Sequence, residues 1–240
     1  MGIMRIAAIQ YQPPKGKPAQ ARRQLADASE QAARDGAGIV VCPEMATTGY
    51  IWPDAEALLP HAEPAQGPTA QVLSDVARRH GSWIFCGFAE RDGETLYNSM
   101  LILGPDGSVL QPYRKVCLYV ADEAWAAPGR QRLLVQTEHG LVVPGICMDI
   151  NDPGFTELLQ QQAPRFCAFS TNWVEQGEDP LEYWRMRLSA FSGHLIAANA
   201  WGEDGATGFT GLSTILGPGG EVLGRGPKRG DHILMADIDD

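Results

Sequence analysis

The chain has 240 residues, 44% of them apolar and 20% charged, enough to bury a substantial core in one large domain or two small ones. Its formal net charge of −10 comes from scattered rather than blocked acidic residues, a field that repels nucleic acid and anionic membrane and makes both poor partners. Five cysteines, an odd number with no Cys-x-x-Cys pair, disfavour a zinc site or a disulfide framework and lead us to expect a reducing cytoplasm. The N-terminus shows no secretory pattern, and no apolar run reaches transmembrane length.

In chain order, residues 4–10 read as a short apolar strand and 19–34 as a helix, with Leu25, Ala28 and Ala32 at helical spacing. Ile39-Val-Val-Cys42 is a strand apolar on both faces, ending at Pro43-Glu44. A second helix follows over 69–80 and a third buried strand over 83–88. The pattern then changes to strands at 95–103, 108–113 and 133–136, joined by turn signals such as Gly104-Pro-Asp-Gly107. Leu141-Val-Val143 leads through Pro144-Gly145 to Cys147, with a helix expected near 155–162. A strand at 166–170, a helix at 181–191 and a strand at 195–200 come next, and strands near 211–216, 221–224 and 233–238 close the chain. No linker, repeat or low-complexity segment interrupts this order, so residues 1–240 read as one domain of mixed sheets covered by helices.

Three chemistry-bearing residues recur at one kind of place, the end of an apolar strand: Glu44, Lys115 and Cys147. Taken singly they read more simply as a solvated carboxylate, a surface charge and a packing cysteine. Taken together they make a nucleophile with its helpers. A carboxylate takes the thiol proton as general base, and a fixed ammonium favours the thiolate and an oxyanion. The backbone N–H of Met148 supplies a second oxyanion donor. The five histidines, at 61, 80, 139, 194 and 232, sit at no comparable strand end, which disfavours a Cys-His enzyme.

The chain resembles the nitrilase superfamily of carbon–nitrogen hydrolases. The resemblance rests on Pro43-Glu44 with Gly49-Tyr50, on Tyr113-Arg-Lys115 followed by Leu118-Tyr-Val-Ala-Asp-Glu123 and Pro128-Gly129, and on Gly145-Ile-Cys147-Met-Asp149. Ser170-Thr-Asn172-Trp173, Ala197-Ala-Asn199 and Gly211-Leu-Ser213 support it, in family order over nearly the whole chain. It implies an α/β fold, the αββα sandwich, paired into homodimers or larger homo-oligomers. It also implies a Glu44-Lys115-Cys147 triad, a fourth polar residue placed at Glu123, and acyl transfer through a thioester with neither metal nor organic cofactor.

The run Cys147-Met-Asp-Ile-Asn departs from the Cys-Trp-Glu of true nitrilases and the Cys-Tyr-Asp of many simple amidases, which argues against nitrile hydrolysis. With Trp184 and Arg187-Leu188 downstream it is most similar to the branch that deamidates N-terminal Asn or Gln, although Ala190-Phe191 replaces that helix's common Glu-Asn pair. Tyr50, Trp52, Asp149, Asn172 and Trp173 are the candidate pocket residues because they flank catalytic elements, with Trp125 at the rim and packing as the other reading of the tryptophans. Asp149 or Asp122 would suit a substrate α-ammonium. Two alternatives stay open: an ω-amidase or N-carbamoyl amidohydrolase, and a catalytically silent scaffold of the same fold.

Overall fold

A computed structural model describes residues 2–240. The first six-stranded sheet contains β1 (Ile3–Gln10), β2 (Ala37–Val41), β3 (Trp83–Asp92), β4 (Thr95–Leu103) and β5 (Tyr113–Arg114). The returning last strand, β14 (His232–Asp239), pairs antiparallel with β1 and completes it. The second sheet contains β6 (Val135–Thr137), β7 (Gly140–Ile146), β8 (Phe166–Thr171), β9 (His194–Asn199), β12 (Thr214–Leu216) and β13 (Val222–Arg225). In each sheet the central strands run parallel, β1-β2-β3 in one and β7-β8-β9 in the other. Parallel neighbours require crossovers, and helices supply them. These are α1 (Pro18–Arg34) and α3 (Pro68–His80) on the first sheet, and α4 (Pro153–Gln162) and α5 (Pro180–Arg187) on the second. A four-residue helix, α2 (Ala55–Leu58), precedes α3.

The layering follows from strand periodicity. Ile6, Ala8, Ile39, Val41 and Phe85 face the second sheet, where they meet Val142, Ile146, Phe166, Ala168 and Ile196. Their alternates Ala7, Ile9, Val40, Ile84 and Cys86 face α1 and α3, packing on Leu25, Ala32, Leu73 and Val76. On the other side Val143, Cys167 and Phe169 pack under Phe155, Leu159 and Trp184 of α4 and α5. Strands sandwiched between a sheet and a helix layer must be apolar on both faces, which is why the strand patterns lack alternation. The result is the expected αββα sandwich. All four crossover helices begin with proline, whose missing N–H costs nothing at a helix start. Among the described residues no helix is long and apolar enough to cross a membrane.

Three sequence expectations are corrected. The strand expected at 108–113 is a single Leu103–Val109 bridge followed by the two-residue β5, because Pro112 removes a ladder donor. The helix expected over 181–191 stops at Arg187, and Leu188 and Phe191 then pack into the core as irregular chain. A hairpin absent from the sequence reading, β10 (Trp201–Asp204) with β11 (Thr207–Thr210), stands outside both sheets. Asp204 on this hairpin accepts hydrogen bonds from the backbone N–H groups of Tyr50 and Ile51, both at 2.9 Å, and pins the loop beyond Glu44.

The turn carrying Glu44 rests on β3. The Gly87 N–H donates to the Pro43 carbonyl (3.1 Å), and the Ala46 N–H donates to the Gly87 carbonyl (2.9 Å). A Cβ at Gly87 would lie 2.3 Å from the Pro43 carbonyl oxygen and 2.5 Å from Glu44 Cα. Gly87→Ala is therefore expected to cost about 1–3 kcal/mol through displaced backbone. Calorimetry should show Tm lowered by several degrees, and an unchanged Tm would mean that the Glu44 turn yields freely.

Candidate active site

Parallel strands of sheet-and-helix folds present side chains and free backbone groups at their C-terminal ends. Here β2 delivers Glu44, β7 delivers Cys147 and β8 delivers Asn172, while Lys115 follows the edge strand β5. The Lys115 N–H donates to the Asn98 carbonyl on β4 (2.9 Å), and its own carbonyl accepts from the Gly129 N–H (2.7 Å). Only glycine fits at 129, where a Cβ would lie 2.1 Å from the Arg114 carbonyl oxygen.

Glu44, Lys115 and Asp122 form a fully buried charge cluster. The Lys115 ammonium donates to Glu44 Oε1 at 2.7 Å and to Asp122 Oδ2 at 2.6 Å. Asn98 Nδ2 bridges the same two carboxylates, at 2.7 Å and 3.0 Å. Glu44 Oε2 accepts from the Asn172 backbone N–H (2.9 Å), and Asn172 Nδ2 returns to the Glu44 carbonyl (2.9 Å). Burial by itself would strip the proton from Lys115, but Asp122 and Glu44 overcome it and hold the ammonium well above the ordinary lysine range. Burial raises Glu44, with Lys115 and Asn98 opposing and Asp122 reinforcing.

The place expected for Glu123 belongs to Asp122. Its carboxylate accepts from the Tyr119 N–H (2.9 Å) as well as from Lys115, so the turn closes with residue 122 inward and Glu123 exposed. Neither Asp122 nor Asp149 lines the cavity beside Cys147, and both are fully buried. Asp149 instead clasps two parts of the site together. One oxygen accepts from the Val116 and Cys117 N–H groups (3.1 and 2.9 Å), just past the lysine. The other accepts from Tyr113 Oη (2.7 Å) and the Ile146 N–H (3.0 Å), just before the cysteine. Arg132, 2.9 Å away, balances the charge.

Cys147 stands at the first position of a short 3₁₀ turn, 147–151, with φ of 40°. For a residue with a Cβ the left-handed region is strained by about 1–3 kcal/mol, a strain typical of a nucleophile presented on a tight turn. Burial and the Glu44 charge push its thiol up to about 12, while Lys115 and the Thr171 hydroxyl pull the other way. The resting residue is a neutral thiol.

Cys147 opens into a cavity of about 220 Å³. Tyr50, Met148, Asn172 and Trp173, named from the sequence, line it, with Tyr119 and Tyr183 adding further wall. The Lys115 ammonium lies 5.6 Å from the Tyr50 ring centroid. Trp173 is wedged against Trp184 and Tyr183, with ring centroids 5.6 and 5.5 Å apart. Trp52 and Trp125 do not line the cavity: Trp52 stacks on His61, and Trp125 is buried beside the Tyr50 loop. Sequence reading missed Asn98 and Asp122 in its cluster role. Asn98 carried a signal, because a polar residue inside the apolar strand Leu96–Leu103 must find partners when buried.

A carbon-nitrogen hydrolase family model matches residues 5–240. The chain is 31% identical to the omega-amidase NIT2 of Bos taurus, covering 100% of this chain and 90% of that protein. It is 29% identical to a nitrilase of Pyrococcus abyssi (99% and 90% covered). Identity to the protein N-terminal amidase of Schizosaccharomyces pombe is 27% (89% and 91% covered). In fold, it matches a mutant of the amidase from Nesterenkonia sp. AN1 that carries acrylamide at its active-site cysteine. The TM-score is 0.87 at 22% identity, with 98% of this chain and 93% of that one covered.

The two neighbouring acids separate cleanly by experiment. Asp122→Ala leaves the ammonium balanced by Glu44 but takes an acceptor from Lys115, Asn98 and the Tyr119 N–H, and is expected to cost about 1–3 kcal/mol. Glu123→Ala, at an exposed position, should stay within about 0.5 kcal/mol. Denaturant unfolding measures both, and equal losses would contradict this placement.

Proposed function

The chain belongs to the carbon-nitrogen hydrolase family, and from that premise we propose that it is a cysteine-dependent amidase that hydrolyses a non-peptide amide through a thioester and releases ammonia. One observation carries this reading: a strained cysteine facing a cavity beside a buried glutamate–lysine pair. A neutral thiol is a poor nucleophile, so the carboxylate beside it has work to do. As the substrate carbonyl approaches, Glu44 takes the Cys147 proton and the sulfur bonds to the amide carbon. Lys115 has three N–H donors and, among the described residues, gives two of them to Glu44 and Asp122. The third, with the Met148 N–H, holds the oxyanion.

Collapse of the tetrahedral intermediate breaks the carbon–nitrogen bond, and Glu44 returns its proton to the departing nitrogen. Water then gives a proton to Glu44 and attacks the thioester, and Cys147 leaves as its proton comes back. A glutamate whose proton affinity is raised by burial suits both halves of this exchange. Asp122 and Asn98 act on Lys115 and Glu44 as positioning residues rather than on substrate.

For the substrate, the Cys147-Met-Asp-Ile-Asn run and the likeness to a protein N-terminal amidase favour the side-chain amide of an N-terminal Asn or Gln. The likeness to omega-amidases keeps a small ω-amide as the second reading. A cytoplasmic setting fits the five free cysteines. Assembly as a homodimer or larger homo-oligomer through a helical layer fits the exposed Met186 of α5 and Val72 of α3.

Ammonia release from a panel of Asn- and Gln-leading peptides, ω-amides, aliphatic amides and N-carbamoyl amino acids tests the proposal. Cys147→Ala should abolish turnover, by about a thousandfold or more, while leaving the circular dichroism unchanged. Turnover surviving in that variant would sink the assignment.

The pH profile should be asymmetric. Glu44 must be ionised to accept a proton, so kcat/KM falls as pH drops through its raised value, above the usual carboxylate range. Lys115 must stay protonated, and its raised value moves any loss from deprotonation above the ordinary lysine range. An acid limb inside the usual carboxylate range would contradict the burial argument.

A further inference from the structure

The cleft that exposes Cys147 is lined, among the described residues, by no lysine, arginine or histidine. Its charged lining consists of two carboxylates, Glu178 and Asp179. Asp179 is already engaged, capping α5 at the Leu181 N–H (2.9 Å) and pairing with Arg225 at 2.5 Å. Glu178 is exposed, on the loop between β8 and α5, and takes part in none of the ion pairs among the described residues. The cations nearby are directed elsewhere. Lys115 is buried between Glu44 and Asp122. Arg187 donates to the Ile150 and Asn151 carbonyls, and Arg132 serves Asp149 and Asp152. Lys228 and Arg229 do not line this cleft but share a neighbouring depression with Glu178 and Asp179.

Two nearly fully buried polar atoms of the same cleft, Tyr50 Oη and Asn172 Oδ1, have no hydrogen-bond partner among the described residues. Buried polar groups rarely stay unpaired, and an amide provides both an acceptor and N–H donors for such positions. The inner end of the cleft is therefore built for a neutral polar group, and its mouth carries the exposed Glu178 carboxylate, which forms no ion pair among the described residues.

On the premise that Cys147 is an amidase nucleophile, we propose that Glu178 makes this cleft select primary amides whose far end carries an ammonium group, and reject those whose far end is a free carboxylate. A carboxylate entering here sheds water without meeting a cation, and it faces Glu178 as well as the excess negative charge of the Glu44–Lys115–Asp122 cluster. An ammonium at the mouth gains what the carboxylate loses. The α-ammonium of an N-terminal Asn or Gln meets this requirement, and the monoamide of a dicarboxylic acid does not.

Three amides of matched length separate the charges: δ-aminovaleramide (cationic), valeramide (neutral) and glutaramate (anionic). Ammonia release from each is compared for the unmodified protein and Glu178→Lys at low and high salt, and binding of each to Cys147→Ala is followed by calorimetry. The expected kcat/KM ratio of δ-aminovaleramide to glutaramate is at least roughly tenfold at low salt. It should shrink as salt is added, and Glu178→Lys should reduce it by about tenfold or invert it. A ratio near one, a preference for glutaramate, or a ratio unmoved by Glu178→Lys would overturn the selectivity while leaving the amidase reading intact if valeramide is still turned over. No ammonia from any amide, with binding to Cys147→Ala still in the order cation, neutral, anion, would sink the amidase reading and uphold the charge selection. Absence of both turnover and binding would overturn both.

Discussion

An ammonium group with no exposed surface, held between two carboxylates that are equally buried, is the constraint around which this molecule is arranged. Removing such charges from water costs several kcal/mol each, and only close, hydrogen-bonded pairing offsets that. The pairing here draws on four places in the chain: the turn after β2, the middle of β4, the residue after β5 and the 119–122 turn. None of these segments can bury its charged group by itself. The two carboxylates outnumber the one ammonium, and that excess falls beside Cys147, where it helps keep the thiol protonated at rest.

That resting state gives the site its logic. A thiolate stored permanently would be exposed to every oxidant and electrophile that reached the cleft. In the proposed reaction the sulfur is activated only when its proton has a destination, and Glu44 would provide one while it stays hydrogen-bonded to Lys115. Asp149 keeps the geometry consistent, because one carboxylate binds backbone on the lysine side and on the cysteine side. Its charge is spent inside the protein on Arg132 and four donors, so it contributes precision of placement rather than contact with substrate.

Much of this was legible in the residues. Strands apolar on both faces implied layers on both sides, and Glu44, Lys115 and Cys147 each followed such a strand or its edge. The residues that escaped reading share a physical reason. Which of Asp122 and Glu123 turns inward depends on a hydrogen bond to the Tyr119 backbone, and spacing alone cannot distinguish adjacent acids in a turn. Asp149 sat two positions from the nucleophile and read as a pocket acid, yet the 3₁₀ turn rotates it under the backbone. The β10–β11 hairpin was hidden because Trp201–Thr210 mixes glycine, acid and threonine with little alternation, and its value lies in pinning a distant loop.

The partners of Glu44 carry a further consequence for how the chain assembles. They lie 54, 71 and 128 residues away in sequence, at Asn98, Lys115 and Asn172. Contacts of such separation close late, after the loops between them have given up their entropy. The fully paired Glu44 is thus a signature of two sheets docked in register, because its partners come from β4 and the residue after β5 on one sheet and from the end of β8 on the other.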